Sequence, residues 1–198
     1  AGGGGAGPSI GDLIAMSPTL SRQLRELQAD GWTIVDGPAG GGSSTNRSTK
    51  TITIDSAHRA NPTDYVRSLS HEAGHAVQAN DYTPMAGHTR DEYVTANRDH
   101  QLDGEGRATL NNARVRGEIQ DAGGPDIGIS GTRTNEYQRI ADQADAGTIT
   151  DEQAAHQIGQ QIGQHETTST THENYNDYYS HFYENRWDTH HPPAGGGP

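Results

Sequence analysis

The chain has no cysteine, one phenylalanine and one lysine in 198 residues. The absence of cysteine removes disulfides and thiolate metal sites, and leaves the redox compartment open. Leu, Ile, Val and Phe number 25 of the 198 residues. That share lies below the ~20% at which a highly charged chain is suspected of disorder. No run approaches the ~18 apolar residues of a membrane-spanning helix, so no membrane span is expected. The N-terminus, AGGGGAGP, has neither a basic region nor an apolar core, so no secretory signal is expected. Basic residues are also scarce: 14 Lys+Arg against 26 Asp+Glu give a net charge of -12. A nucleic-acid partner is not expected, because binding phosphates needs a basic face.

Residue order carries more than composition. Residues 1–16 and 190–198 are rich in Gly or Pro, or lack periodicity, and read as a flexible N-terminal linker and a flexible tail. Between them one domain is expected over 17–189, with a core at 17–125 and a helical part at 126–189. Ser17-Pro18 is an N-cap followed by a first-turn proline. Leu20, Leu24 and Leu27 recur at helical spacing until Gly31. Residues 32–35 suit a strand, 36–50 a Gly/Ser/Thr-rich loop, and Thr51–Asp55 (TITID) a half-buried strand. Asn61-Pro62 opens a helix reaching about residue 80. Further helices are expected at 101–121, 135–146, 151–164 and 173–187. The last holds Tyr175, Tyr178, Tyr179, Phe182, Tyr183 and Trp187, a density that suits core closure, since aromatics bury the most area per residue. From Ile140 onward there are 9 acids and 1 Arg, so about -8 of the charge lies there, most simply as a solvated surface.

The chemistry is carried by His71-Glu72-Ala73-Gly74-His75. Residues i and i+4 share a helical face, so both imidazoles can bind one metal ion. Glu72 sits beside them, able to reach a metal-bound water as general base without itself being a ligand. Chance alone yields H-E-x-x-H in about 3% of chains of this composition. The mid-helix setting and the small residues at the two x positions favour a real site. A catalytic zinc site needs a third protein ligand. No histidine follows in the extended H-E-x-x-H-x-x-G-x-x-H pattern, so a carboxylate on the next helix is expected. Glu105 shares a stripe with Ala108, Asn112, Val115 and Ile119 and is flanked by Gly104 and Gly106. Asp103 and Glu118 are the alternatives; Glu118 has Arg114 four residues back and suits a surface ion pair. For a donor to the transition-state oxyanion, His165, His172, Tyr175, Tyr178 and His181 are open candidates.

Residues 31–121, together with the later GTITDEQAAHQIG, resemble the metallopeptidase toxin domains of bacterial polymorphic toxins and type VI secretion effectors. The stretches concerned are GWTIVDGPAGGGSSTNRSTKTITIDS, LSHEAGHAVQ and LDGEGRATLNN. The resemblance implies His71 and His75 as Zn2+ ligands, Glu105 as the third, and Glu72 as base. It also implies a larger secreted parent polypeptide, delivery into a target cell by a bacterial secretion system, and a cognate immunity protein. The expected fold is α+β and zincin-like. A small antiparallel sheet would pack on the active-site helix, with Thr51–Asp55 as its outer strand holding an extended peptide. The C-terminal half would be mainly helical. The expected function is zinc-dependent hydrolysis of peptide bonds. A zinc amidase acting on cell-wall peptides and a non-catalytic, metal-stabilised binding module are the alternatives.

Overall fold

The computed structural model describes residues 7–79 and 82–191. Its elements are α1 (Ile10–Ala15), α2 (Pro18–Ala29), β1 (Thr33–Gly37), β2 (Ser44–Asn46), β3 (Thr51–Asp55), a 3-10 turn (Ser56–Ala60), α3 (Pro62–Ala76), α4 (Arg90–Asp121), α5 (Thr134–Asp145), α6 (Asp151–His165) and α7 (Tyr175–His190). The class is α+β and mostly helical. Among the described residues no helix is long and apolar enough to cross a membrane.

The N-terminal segment departs from the expected linker. Residues 1–6 lie outside the described residues, but residues 10–15 form a helix. Ser9 and Asp12 make a capping box at its start, and Leu13 is fully buried in the core. At the other end α7 continues to His190, past the expected boundary; residues 192–198 of the expected tail lie outside the described residues.

The sheet is mixed, not antiparallel, with strand order β1-β3-β2. β1 pairs parallel to β3, and β2 pairs antiparallel to it. Thr51–Asp55 is therefore the central strand and not the outer one. Burial explains this: Ile52 and Ile54 are fully buried, whereas β1 is exposed along most of its length. Alternation in TITID identifies a strand with one buried face but is silent on its neighbours. The loop expected over 36–50 contains β2. Buried Asp55 ties down the rest of it, accepting hydrogen bonds from the Gly40 and Gly42 amides at 2.9 and 3.0 Å.

α4 is the spine. It begins at Arg90, eleven residues earlier than expected, behind a Thr89–Glu92 capping box. At 32 residues it spans roughly 48 Å and packs against α3, α6 and α7. Glycines set how closely. A Cβ on Gly74 would lie 2.8 Å from the Ala108 Cα, so α3 and α4 touch backbone to backbone. A Cβ on Gly106 would lie 1.9 Å from the Ala155 carbonyl oxygen, and one on Gly159 2.4 Å from that of Leu102. The α4–α6 interface admits no side chain at either place. Glu105 is thus carried on a helix whose position is fixed from both sides.

Glu118 and Arg114 do not form the expected surface pair. Arg114 reaches Asp145 and Asp151 at 2.7 and 2.6 Å. Glu118 instead ties the start of α2 to α4, accepting from the Ser17 hydroxyl, the Thr19 amide (3.0 Å) and the Thr19 hydroxyl (2.6 Å). The orphan N–H groups of a helix start attract a carboxylate more strongly than a solvated guanidinium does.

Candidate metal centre

His71 and His75 lie one turn apart on α3, and their rings meet edge to face at 4.9 Å between centroids. Glu105 on α4 closes the triangle. Its Oε2 lies 3.4 Å from the Nε2 of His71 and 3.4 Å from that of His75. One ligand atom from each residue falls within 4.8 Å of the others, so the three can hold a metal ion. All three side chains are mostly buried.

The spacing tests whether a metal suits these donors. Charge-assisted N–H···O bonds run about 2.7–2.9 Å. A single carboxylate oxygen equidistant at 3.4 Å from two imidazole nitrogens is too far from both for good hydrogen bonds. In a tetrahedral zinc site with ligand bonds of about 2.0–2.1 Å, neighbouring donor atoms are about 3.3–3.4 Å apart. The donor set, two imidazoles and one carboxylate, also suits zinc. The residues fit the ion.

The electrostatics are strongly coupled. Burial alone would push the Glu105 carboxyl up, but the His75 charge and the contacts with both imidazoles outweigh it, holding it well below the usual range. Burial pushes the His75 imidazole down, and the Glu105 carboxylate overrides this, so it ends above its ordinary value. Each of the two groups therefore stabilises the charged form of the other.

The surrounding residues orient these three side chains and Glu72. The Tyr179 phenol on α7 donates to Glu105 Oε1 at 2.8 Å, leaving Oε2 for the histidines. Burial, the Glu105 charge and that hydrogen bond all push the Tyr179 phenol up, so it remains a donor. From β2, the Thr45 hydroxyl lies 2.7 Å from Glu72 Oε2 and 2.9 Å from the Glu72 carbonyl. Glu72 is itself buried. Arg47, just past β2, donates to the His75 carbonyl at 2.7 Å. The sheet edge is thus pinned to the H-E-x-x-H helix at two points.

The remaining candidates separate. Tyr175 lines a cavity of about 160 Å³ that also takes in His71 and Glu105. Burial first, then the charges of Glu105 and Glu166, push its phenol up. The Tyr178 ring packs edge-on against Tyr179 at 5.3 Å. His181 is exposed and turned to Glu173, at 3.0 Å. His165 and His172 are exposed, the one closing α6 and the other in the following turn. Asp103 pairs with His156 at 2.9 Å and stays out of the cluster. The expected aromatic core is only partial: Tyr183 is buried, while Phe182 is half exposed.

Tyr179 and Thr45 escaped the sequence reading. A signal existed for the first. Tyr175, Tyr179 and Tyr183 recur at i, i+4 and i+8, a stripe matched on α4 by Glu105 and by Gln101, whose side-chain amide donates to the Tyr183 hydroxyl at 2.7 Å. Thr45 had none, because a three-residue strand in a polar loop has no periodicity to detect.

No protein-family model, no curated protein and no solved structure matches this chain.

Proposed function

We propose that the protein is a zinc-dependent metallopeptidase of zincin type. The reading rests on one observation above all: the Glu105 oxygen placed 3.4 Å from both imidazoles of H-E-x-x-H, the edge length of a zinc tetrahedron. Bound there by His71, His75 and Glu105, the metal would supply a Lewis acid that lowers the pKa of water and polarises a carbonyl.

The chain's own residues would then act as follows. Glu72 accepts the proton of the attacking water and passes it to the leaving amine. The Thr45 hydroxyl holds the Glu72 carboxylate in one orientation, so the base is preorganised. Tyr175, in the cavity next to the ligands, donates to the oxygen on which negative charge develops. β2 is a sheet edge, and its Thr45 touches Glu72, so a peptide added in extended form along β2 would be delivered to the base. On this reading the substrate lies along β2 and not along Thr51–Asp55, whose edges are both paired.

The biological role we propose is that of a toxic effector domain, delivered as part of a larger polypeptide and neutralised by a cognate immunity protein. The motifs shared with polymorphic-toxin peptidases support this reading. Its test is expression in bacterial cytoplasm and periplasm, wild type beside Glu72→Gln, with metal analysis and proteomics of cleaved targets. Wild-type toxicity with stoichiometric zinc, lost in a variant that keeps its zinc, is the expected result. Protein without a stoichiometric transition metal would falsify it, as would full toxicity of Glu72→Gln. Cleaved peptidoglycan stems with intact proteins would move the assignment to a cell-wall amidase.

A further inference from the structure

The cavity beside the ligands contains a second carboxylate that the proposed reaction does not use. Glu166 follows α6, where the backbone turns extended, and its residue surface is only 7% exposed. Its Oε1 accepts three hydrogen bonds: from the Thr132 amide at 2.6 Å, the Thr132 hydroxyl at 3.0 Å and the Tyr137 phenol at 2.7 Å. Its Oε2 receives no hydrogen bond from any described residue, and no Arg, Lys or His among them lies within ion-pair distance. Gly131 makes room for this arrangement. A Cβ there would lie 2.8 Å from Glu166 Oε1, and the residue's φ of +106° is one that few side chains tolerate.

Glu166 shares the cavity wall with His71, Glu105, Thr109 and Tyr175. Two residues of that wall also carry a buried polar atom without a hydrogen-bond partner among the described residues, Thr109 Oγ1 and His71 Nδ1. Polar groups in protein interiors are nearly always paired, so a carboxylate oxygen of a buried residue left open on a cavity wall points to an occupant that pairs it. The sign of the charge says what kind. Glu105 is balanced by two imidazoles and, on the reading above, by a metal. Glu166 has no basic partner among the described residues, and a buried carboxylate is costly to leave without one. A volume of about 160 Å³ corresponds to about five waters at ~30 Å³ each, room for the end of one long side chain. The net charge of -12 draws positively charged ligands toward the molecule as a whole.

We infer that Glu166 forms the floor of a specificity pocket, next to the metal centre, for a positively charged group of the peptide substrate. The group is the side chain of lysine or arginine, or the N-terminal ammonium. This deepens the peptidase reading and rests on it.

The test separates the two. Fluorescent peptides differing only in Lys, Arg or norleucine at a scanned position, each with a free or acetylated N-terminus, are titrated against zinc-loaded Glu72→Gln protein, which holds peptide without turnover. A cation preference of about 10–100-fold is expected, the range of a charge-assisted bond. It should collapse in Glu72→Gln/Glu166→Gln, where the amide oxygen can still accept from Thr132 and Tyr137 but the charge is gone. Preference for Lys and Arg assigns the pocket to a side chain; preference for the free amine alone assigns it to the peptide terminus. Equal binding of charged and neutral peptides to Glu72→Gln overturns the inference, and this comparison needs no second substitution. A preference that survives Glu166→Gln overturns the assignment to Glu166. In parallel, wild-type protein is assayed for cleavage of the same peptides. Cleavage without charge preference removes the pocket and leaves the peptidase; binding preference without cleavage of any peptide removes the peptidase and leaves the pocket.

Discussion

The Tyr179 hydroxyl lies 2.8 Å from Glu105 Oε1, so α7 holds one oxygen of the proposed third ligand while the other faces both histidines. Partners behind a metal ligand typically contribute 10–100-fold in affinity. Tyr179→Phe should weaken zinc binding by about that factor in chelator competition, with unchanged far-UV circular dichroism. Undiminished affinity would reduce Tyr179 to a packing residue.

Glu118 and Glu105 sit on the same helix but serve different purposes. Glu105→Ala should abolish stoichiometric zinc. Glu118→Ala should keep zinc and lower stability by about 1–2 kcal/mol, the size of a lost helix cap. Elemental analysis and urea denaturation of the two variants would show the separation. Zinc loss in Glu118→Ala alone would overturn the ligand assignment.

Gly106 tests how rigidly Glu105 is placed. The Ala155 carbonyl leaves no room for a methyl group there, and both atoms belong to helix backbones that cannot rotate away. Gly106→Ala should therefore cost about 3 kcal/mol, the upper part of the range for overpacking. Because α4 must shift to relieve the clash, zinc affinity should fall with stability. Glycine has poor helix propensity, so a stabilised Gly106→Ala protein would mean that α4 and α6 leave room for a methyl group between them.

The coupling of His75 to Glu105 gives a pH dependence. Without metal, the raised pKa of His75 makes its contribution to stability complete below the ordinary imidazole value of about 6.5. That contribution is lost as pH rises through the raised folded value. The depressed pKa of Glu105 places the opposite edge on the acid side, with loss as pH falls below the ordinary carboxyl range. Zinc needs the neutral imidazole, so its binding releases the His75 proton and strengthens as pH rises. The difference in Tm between zinc-loaded and chelated protein should grow across pH 6.5 and upward. A difference that stays constant there would show that His75 is not a ligand.

Much of the site was legible along the chain because its parts are local. H-E-x-x-H places two imidazoles on one face of a helix whatever the rest of the molecule does. The stripe of Glu105 with Ala108, Asn112, Val115 and Ile119 marks an inward carboxylate by the same helical arithmetic. Helix starts such as Ser17-Pro18 and Asn61-Pro62 were readable because capping satisfies nearby backbone N–H groups. The Thr89–Glu92 box was equally present in the sequence and marks where α4 begins.

The apolar poverty of the chain determined which folds were excluded and where helices and strands could lie, since periodicity depends only on neighbours in sequence. Tertiary structure alone decided the pairing. The parallel placement of β1 beside β3, the position of β2 against Glu72, the bond from Tyr179 to Glu105, and the turning of Glu166 into the ligand cavity all join residues far apart in the chain. Such contacts are selected by which faces can be buried together and how closely Gly74, Gly106 and Gly159 let the helices approach. No local pattern encodes that distance.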